Sequence, residues 1–361
     1  MSEKVRWGIA GTGTVAGNFA SDFVHAPRAE LVACCSRSQQ TADSFGRQWN
    51  IEKTFGQYKD MLADPGVDVV YVAVPHHVHK QYCLQAFEAG KAVLCEKPFA
   101  LNETEARDIV QAARSKNVFC MEAMWMRCMP LLHRVTERIK AGEIGDVTHI
   151  HAEFGYPTDF DPMSRFFDLN QAGGSLLDRG IYTIALAYHI LGKPVSVTGE
   201  ANIGKTGVDE SSCYRLEFES GATADLCSTL TGYAANAAVI AGTQGVLTMH
   251  APFYRPELIS VKRGGGARKI VSALCDGNRS GKLAQKIERI VRPFLLRISG
   301  TQCERQPIAG HGYQYEIDEV SRCLSQRQTE SSAVPHDDTL GILNVMDKLR
   351  AQWKLKYPQE I

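Results

Sequence analysis

The 361-residue sequence is short of several things, and each absence removes a class of protein. It has no excess charge: 40 Lys and Arg are matched by 40 Asp and Glu, so nothing global points to nucleic acid or to an anionic membrane. It has no apolar run approaching the roughly 20 residues that span a bilayer. The opening Met-Ser-Glu-Lys-Val-Arg runs into a strand with no signal-like apolar region, so the expected compartment is the cytoplasm. Its 11 cysteines include an adjacent pair, Cys34 and Cys35, but no Cys-x-x-Cys. An odd count without metal spacing predicts reduced thiols rather than a disulfide framework. Internal repeats and low-complexity tracts are also missing, and the length argues for two domains.

What is present begins at Val5. The apolar run Val5–Ala10 breaks into Gly11-Thr12-Gly13-Thr14-Val15-Ala16, and a helical pattern restarts at Gly17. A strand that stops at glycine and resumes as a helix offers backbone N–H groups at a positive helix end, where a phosphate is stabilised. Gly11 suits the tight turn, Gly13 the approach of a pyrophosphate, and Ala16 the packing of helix on strand. This context assigns Gly11, Thr12, Gly13, Thr14 and Val15 to a dinucleotide. The second strand, Ala29–Ser36, ends in Ser36-Arg37-Ser38. An enzyme specific for NAD places a carboxylate there for the ribose 2′-hydroxyl; a guanidinium between two hydroxyls suits a 2′-phosphate instead. NADP(H) is therefore the expected cofactor, with NAD(H) the alternative.

The β-branched run Val67–Val74 reads as a strand buried on both faces. It ends in Pro75-His76-His77-Val78-His79. Three histidines invite a zinc reading, but no Cys, Asp or Glu nearby completes a ligand set, so no metal is expected. Pro75, His76 and His79 are assigned to the cofactor cleft. A further short strand ends in Glu96-Lys97-Pro98, where Pro98 restricts the backbone of Lys97 and so the direction in which its side chain leaves. Further on, Gly173-Gly174-Ser175-Leu176-Leu177-Asp178-Arg179-Gly180-Ile181-Tyr182 opens a helix. Asp178 and Tyr182 then lie at i and i+4, on one face.

In this order, the glycine turn, Val74-Pro75-His76-His77-Val78-His79 and Glu96-Lys97-Pro98 resemble the glucose–fructose oxidoreductase, inositol dehydrogenase and MocA family. The resemblance implies an α/β protein: a doubly wound Rossmann domain followed by an α+β domain with a large open, mainly antiparallel sheet. It implies NAD(P)-linked oxidation or reduction of sugars and related alcohols, with Lys97 at the active site. Glu96 would line the cofactor cleft. Tyrosine at position 182 resembles the branch of dimeric dihydrodiol and NADP-dependent D-xylose dehydrogenases, where it acts as acid or base with the lysine as its electrostatic partner. Asp178 would hold a substrate hydroxyl or orient Lys97. The segment Glu122–Pro130 resembles the crossing beneath the nicotinamide and places Trp125 and Arg127 near cofactor or substrate. His189 is expected in the helix core, and one of His311, Tyr313 or Tyr315 near substrate.

The boundaries so implied are 1–124 for the dinucleotide-binding domain, 125–334 for the substrate and dimerisation domain, and 335–361 for a helix packing back on the first. The expected substrate is a sugar, polyol or cyclic trans-diol; the expected assembly is a homodimer through the open sheet, with no nucleic acid. Alternatives are an NAD-dependent enzyme of another carbohydrate, such as inositol or an anhydrosugar, and a non-catalytic nucleotide-binding regulator. Residues 262–300 depart from the family pattern as a basic insertion, with Arg268, Lys269, Lys282, Arg289 and Arg297 beside an apolar helical stripe. Such a stripe packs on the body of the protein or contacts a membrane surface or partner.

The Ser36-Arg37-Ser38 reading makes a direct prediction. Arg37→Asp should exchange a preference for NADPH for one for NADH, measured as the ratio of kcat/KM for the two. An unchanged ratio removes Arg37 from the 2′-phosphate site.

Overall fold

The computed structural model describes residues 4–264 and 301–360. Six strands make the first sheet: β1 (Val5–Ala10), β2 (Ala29–Cys35), β3 (Lys53–Phe55), β4 (Val69–Val72), β5 (Ala92–Glu96) and β6 (Cys120–Ala123). Their order is β3-β2-β1-β4-β5-β6, and every pairing is parallel. All four residues of β4 are buried, as a strand covered on both faces requires. The connections carry α1 (Thr14–Ser21), α2 (Gln39–Trp49), α3 (Tyr58–Ala63), α4 (His79–Glu88) and α5 (Glu103–Lys116). β1 lies between β2 and β4, so the order reverses there and leaves a crevice at the carboxyl ends of the strands.

The second sheet has eight strands: β7 (Val147–Gly155), β8 (Ser196–Ile203), β9 (Asp209–Glu217), β10 (Thr223–Thr229), β11 (Ala238–Gly242), β12 (Gly245–Met249), β13 (Leu258–Arg263) and β14 (Gln302–Arg305). The order is β14-β13-β12-β11-β7-β10-β9-β8, antiparallel throughout except where β7 meets β10. Burial alternates strictly along β10. Tyr214, Leu216, Ala224, Leu226, Ala152 and Ile150 face inward. The outer face carries His149, His151, Arg215 and Asp225. The inner face packs on α7 (Ile181–Leu191), which is buried continuously from Ile181 to Tyr188. A helix apolar all round belongs in an interior, and α7 lies there. β13 and β14 pair Leu258 with Arg305 and extend the sheet beyond the strands read from sequence. The basic segment separates them in the sequence, and the expectation for it falls on residues 265–300, which lie outside the described residues.

One expectation is corrected here. Cys213 and Cys227, directly opposed on β9 and β10, form a disulfide on the outer face. A pairing set by strand register leaves no spacing signal in the sequence. Eight other cysteines among the described residues are free, and all but Cys303 are buried.

Two helices carry the chain between the sheets: α6 (Pro130–Lys140) and α8 (Gln314–Ser325). The last, α9 (His336–Trp353), packs on α5, α7 and β8. Its Thr339 hydroxyl donates to buried Glu122 on β6 (2.9 Å), and its His336 ring bonds the Cys120 carbonyl (2.8 Å). Glu122 also accepts from the Phe99 N–H, 3.1 Å away. Burial pushes the Glu122 carboxyl up to about 7.

A carboxyl raised on folding favours the folded state most at a pH below its unfolded value, near 4.3, and that advantage is lost as pH climbs through its folded value. At about 1.4 kcal/mol per pKa unit, the loss is on the order of 3 kcal/mol. Urea unfolding of wild type and Glu122→Gln at several pH values should show the gap between them shift in favour of the neutral variant by that order between about pH 4 and about pH 8. A gap independent of pH means Glu122 folds ionised.

Candidate active site

The crevice is built first by glycine. Gly11 has φ +113°, and an added Cβ would lie 2.1 Å from the Ala73 carbonyl oxygen, so only glycine turns the chain from β1 toward α1 past the end of β4. Its N–H bonds the Cys35 carbonyl at 2.9 Å, locking the turn to β2. A Cβ on Gly13 would meet nothing within 4 Å. The N-terminus of α1 has no side-chain cap and no acidic residue in its first turn. Its leading N–H groups therefore have no side-chain cap at the positive end of the helix. At the end of β2, the Thr12 and Ser36 hydroxyls meet at 3.1 Å, Ser38 caps α2 through the Thr41 N–H, and Arg37 is exposed.

Deeper in the crevice, the two units meet at Lys97, which follows β5. The Glu96 carboxylate fixes this strand end by accepting from the Tyr71 hydroxyl and from the Lys97 N–H (3.1 Å). The Lys97 ammonium donates to the Asp178 carbonyl (2.7 Å) and lies 3.3 Å from its carboxylate. Asp178 sits in a π-helical turn, Leu176–Gly180, that leads into α7. Arg165 reaches the same carboxylate oxygen at 3.0 Å and Arg179 approaches the other at 3.8 Å. Although burial opposes its charge, the Lys97 ammonium and the Arg165 guanidinium hold the Asp178 carboxyl well below the ordinary carboxylate range.

The Lys97 ammonium lies 4.9 Å from the centre of the Tyr182 ring. The Tyr182 hydroxyl accepts from the Trp125 indole N–H at 2.7 Å. Burial raises this phenol well above its ordinary value, and Glu96, Tyr313 and Asp178 add to the rise against Trp125. The Lys97 ammonium is paired with Asp178 and sits over the ring. Phe154, stacked on Tyr254 at 4.3 Å, borders Tyr182 at 5.5 Å, and Tyr313 stacks on Trp125 at 5.0 Å.

Comparison with known proteins gives the family. Residues 5–124 match the oxidoreductase family with an NAD-binding Rossmann fold, and residues 132–248 match the GFO/IDH/MocA C-terminal domain. The chain belongs to the Gfo/Idh/MocA family. It is 31% identical to trans-1,2-dihydrobenzene-1,2-diol dehydrogenase of Mus musculus, over 99% of both chains. It is 30% identical to the D-xylose 1-dehydrogenase (NADP(+)) of Hypocrea jecorina, over 99% of this chain and 94% of that one. Its fold is similar to the aldose-aldose oxidoreductase of Caulobacter crescentus, with TM-score 0.80 and 22% identity over 98% of each chain. It is also similar to the 3-ketoreductase of Actinomadura kijaniata in complex with NADP, with TM-score 0.74 and 21% identity over 97% of each. Like its family, this chain is an NAD(P)-dependent oxidoreductase acting on CH–OH groups.

In this Gfo/Idh/MocA chain the residues singled out from sequence fall into two sets. Lys97, Asp178, Tyr182 and Trp125 converge, and His76 faces them half-buried, its imidazole held neutral by burial. Others act as ties. His79 is fully buried, its ring bonded to the Val74 and Pro98 carbonyls (2.8 and 2.9 Å), so it pins the loops after β4 and β5 together. Arg127 turns away from Trp125 into the interior and pairs with Asp338 on α9 at 2.9 Å. His189 bonds the Thr136 hydroxyl of α6 at 2.9 Å. Of the three late candidates, Tyr313 reaches Trp125, whereas His311 is exposed and Tyr315 lines a separate cleft with Arg28 and Asp318. Arg165 and Tyr254 were not anticipated, because both sit in loops where no periodicity marks a facing residue.

The glycine turn separates two substitutions of the same kind. Gly11→Ala should cost at least about 2 kcal/mol in urea unfolding, through its φ and the Ala73 clash. Gly17→Ala meets Trp49 only at 3.4 Å and should be neutral or stabilising by up to about 1 kcal/mol. Equal effects would mean that the turn tolerates a side chain.

Proposed function

We propose that this enzyme interconverts a secondary alcohol and its carbonyl on a sugar, polyol or cyclic trans-diol, with NADP(H) preferred. The observation that carries the reading is one buried constellation, Lys97, Asp178, Tyr182 and Trp125, assembled from both units at the carboxyl ends of the parallel strands. The turn at Gly11 and Gly13 and the uncapped start of α1 fit a pyrophosphate, and Arg37 between Ser36 and Ser38 fits a 2′-phosphate. When bound, the nicotinamide supplies the hydride donor or acceptor.

The chain's own residues handle the proton. As a carbonyl is reduced its oxygen becomes an alkoxide, and a positioned O–H must protonate it. Tyr182 is the buried hydroxyl held protonated for this, and in oxidation the same oxygen takes the proton back. Lys97 offers ammonium hydrogens to the substrate oxygen, and Asp178 fixes its direction. Phe154 and Tyr254 present an apolar wall to the ring of the substrate. The similar chains support this range: the mouse relative is named for a dihydrodiol, the fungal one for D-xylose and NADP(+). The exposed polar face of the second sheet is proposed as the contact between two copies, and the cytoplasm as the compartment.

A screen of sugars, polyols and dihydrodiols with NADP(+), read by nicotinamide absorbance, tests the activity. Tyr182→Phe should lower kcat by about 10²–10⁴-fold while NADPH binding, followed by fluorescence, stays near wild type. A fully active variant would end the acid–base role of Tyr182, and a screen without turnover would end the substrate class.

A further inference from the structure

We infer that Trp125 is a positioning residue for Tyr182, its indole N–H fixing the direction in which the phenol presents its proton. The inference rests on the acid–base role proposed above for Tyr182. An indole nitrogen donates and never accepts, and it lies 2.7 Å from the phenol oxygen. That oxygen must therefore accept from Trp125, and its one proton points elsewhere. The hydroxyl has no second hydrogen-bond partner among the described residues. The proton is left free for a substrate oxygen.

The same bond strengthens when the phenol ionises, because a donor to a charged oxygen is roughly twice as strong as one to a neutral oxygen. Around Tyr182, Glu96 from β5, Asp178 from the π-helical turn and Tyr313 ahead of α8 all oppose ionisation. Lys97 lies over the ring but is paired with Asp178, and the Tyr254 ring stands 5.6 Å away. Among the described residues, Trp125 is thus the one neighbour whose hydrogen bond favours the ionised oxygen.

The indole is itself held. Tyr313 stacks on it at an interplanar angle of 18°. The Tyr313 N–H donates to Asp22 at 2.8 Å, as do the N–H groups of His311 and Gly312 at 2.9 and 2.8 Å. Asp22 is the residue that follows α1. At Gly312, φ is +108° and an added Cβ would lie 3.2 Å from the Trp125 ring and 2.6 Å from Met129, so glycine leaves the room in which the indole sits. A continuous line of contacts therefore joins the helix that faces the pyrophosphate to the phenol that moves the proton.

Trp125→Phe keeps an aromatic ring against Tyr313 and removes only the N–H. With full-length enzyme, NADP(+) and the best alcohol of the screen, the limb of kcat against pH that rises as the phenol ionises should move up by about one unit. Rates on that limb should fall about ten-fold at fixed pH, with KM for NADP(+) unchanged. A limb that stays in place, whatever the fall in kcat, overturns the inference. Tyrosinate absorbance reads the bond without turnover: the step missing from Tyr182→Phe should appear at higher pH in Trp125→Phe than in wild type. Superimposed titrations of wild type and Trp125→Phe overturn the inference even where no alcohol is oxidised, and the absence of turnover by itself counts only against the proposed activity.

Discussion

A buried carboxylate draws cations to itself, and Asp178 is where the two halves of this enzyme are joined. Ionised and enclosed, it would be costly alone. Lys97 comes to it from the end of a parallel strand, Arg165 from a loop of the other unit, and Arg179 from its own turn. Each carries charge to one point, so the pair Lys97–Asp178 exists only when both units are folded and docked. The widened turn at Leu176–Gly180 matters here: it is where the helix ladder loosens, and the Asp178 carbonyl that receives the Lys97 ammonium belongs to it.

The pairing of Lys97 with Asp178 lies beside the phenol of Tyr182. An ammonium with no counter-ion beside a phenol would pull it toward ionisation. Here Lys97 is paired with Asp178, and burial, with Glu96, Tyr313 and Asp178 adding to it, raises the phenol well above its ordinary value.

Local signals made the first unit readable. The glycine turn, the buried run of β4 and the strand ends at His76 and Lys97 are each written within a few adjacent residues, and the sheet order follows from the alternation of strands and helices. In the second unit, the alternation along β9 and β10 marked the sheet. What stayed hidden depends on partners distant in the chain. Arg127 looked like a site residue until Asp338 supplied its counter-ion. Cys213 meets Cys227 only through register. β13 and β14 are short and separated by the basic segment, so no hairpin signal joins them. Tyr313 could not be ranked over Tyr315, because neighbours two apart in a loop differ only in what the fold places beside them.

The polar residues that turned out to be ties obey a common rule. His79, Asp22 and Glu122 are all buried, and each bonds backbone groups of a loop that carries a site residue: His79 the carbonyls flanking β4 and β5, Asp22 the N–H groups of 311–313, Glu122 the Phe99 N–H just after Lys97 and Pro98. Site side chains emerge from loops, and a loop backbone without a ladder partner must be satisfied by something. A buried side chain that does so is bound to be close in sequence or space to the chemistry without taking part in it. Proximity to a motif is thus weak evidence of role, and the direction of a side chain's hydrogen bonds is stronger. Tyr182 stands apart by this test: its hydroxyl keeps a proton that no protein group among the described residues receives.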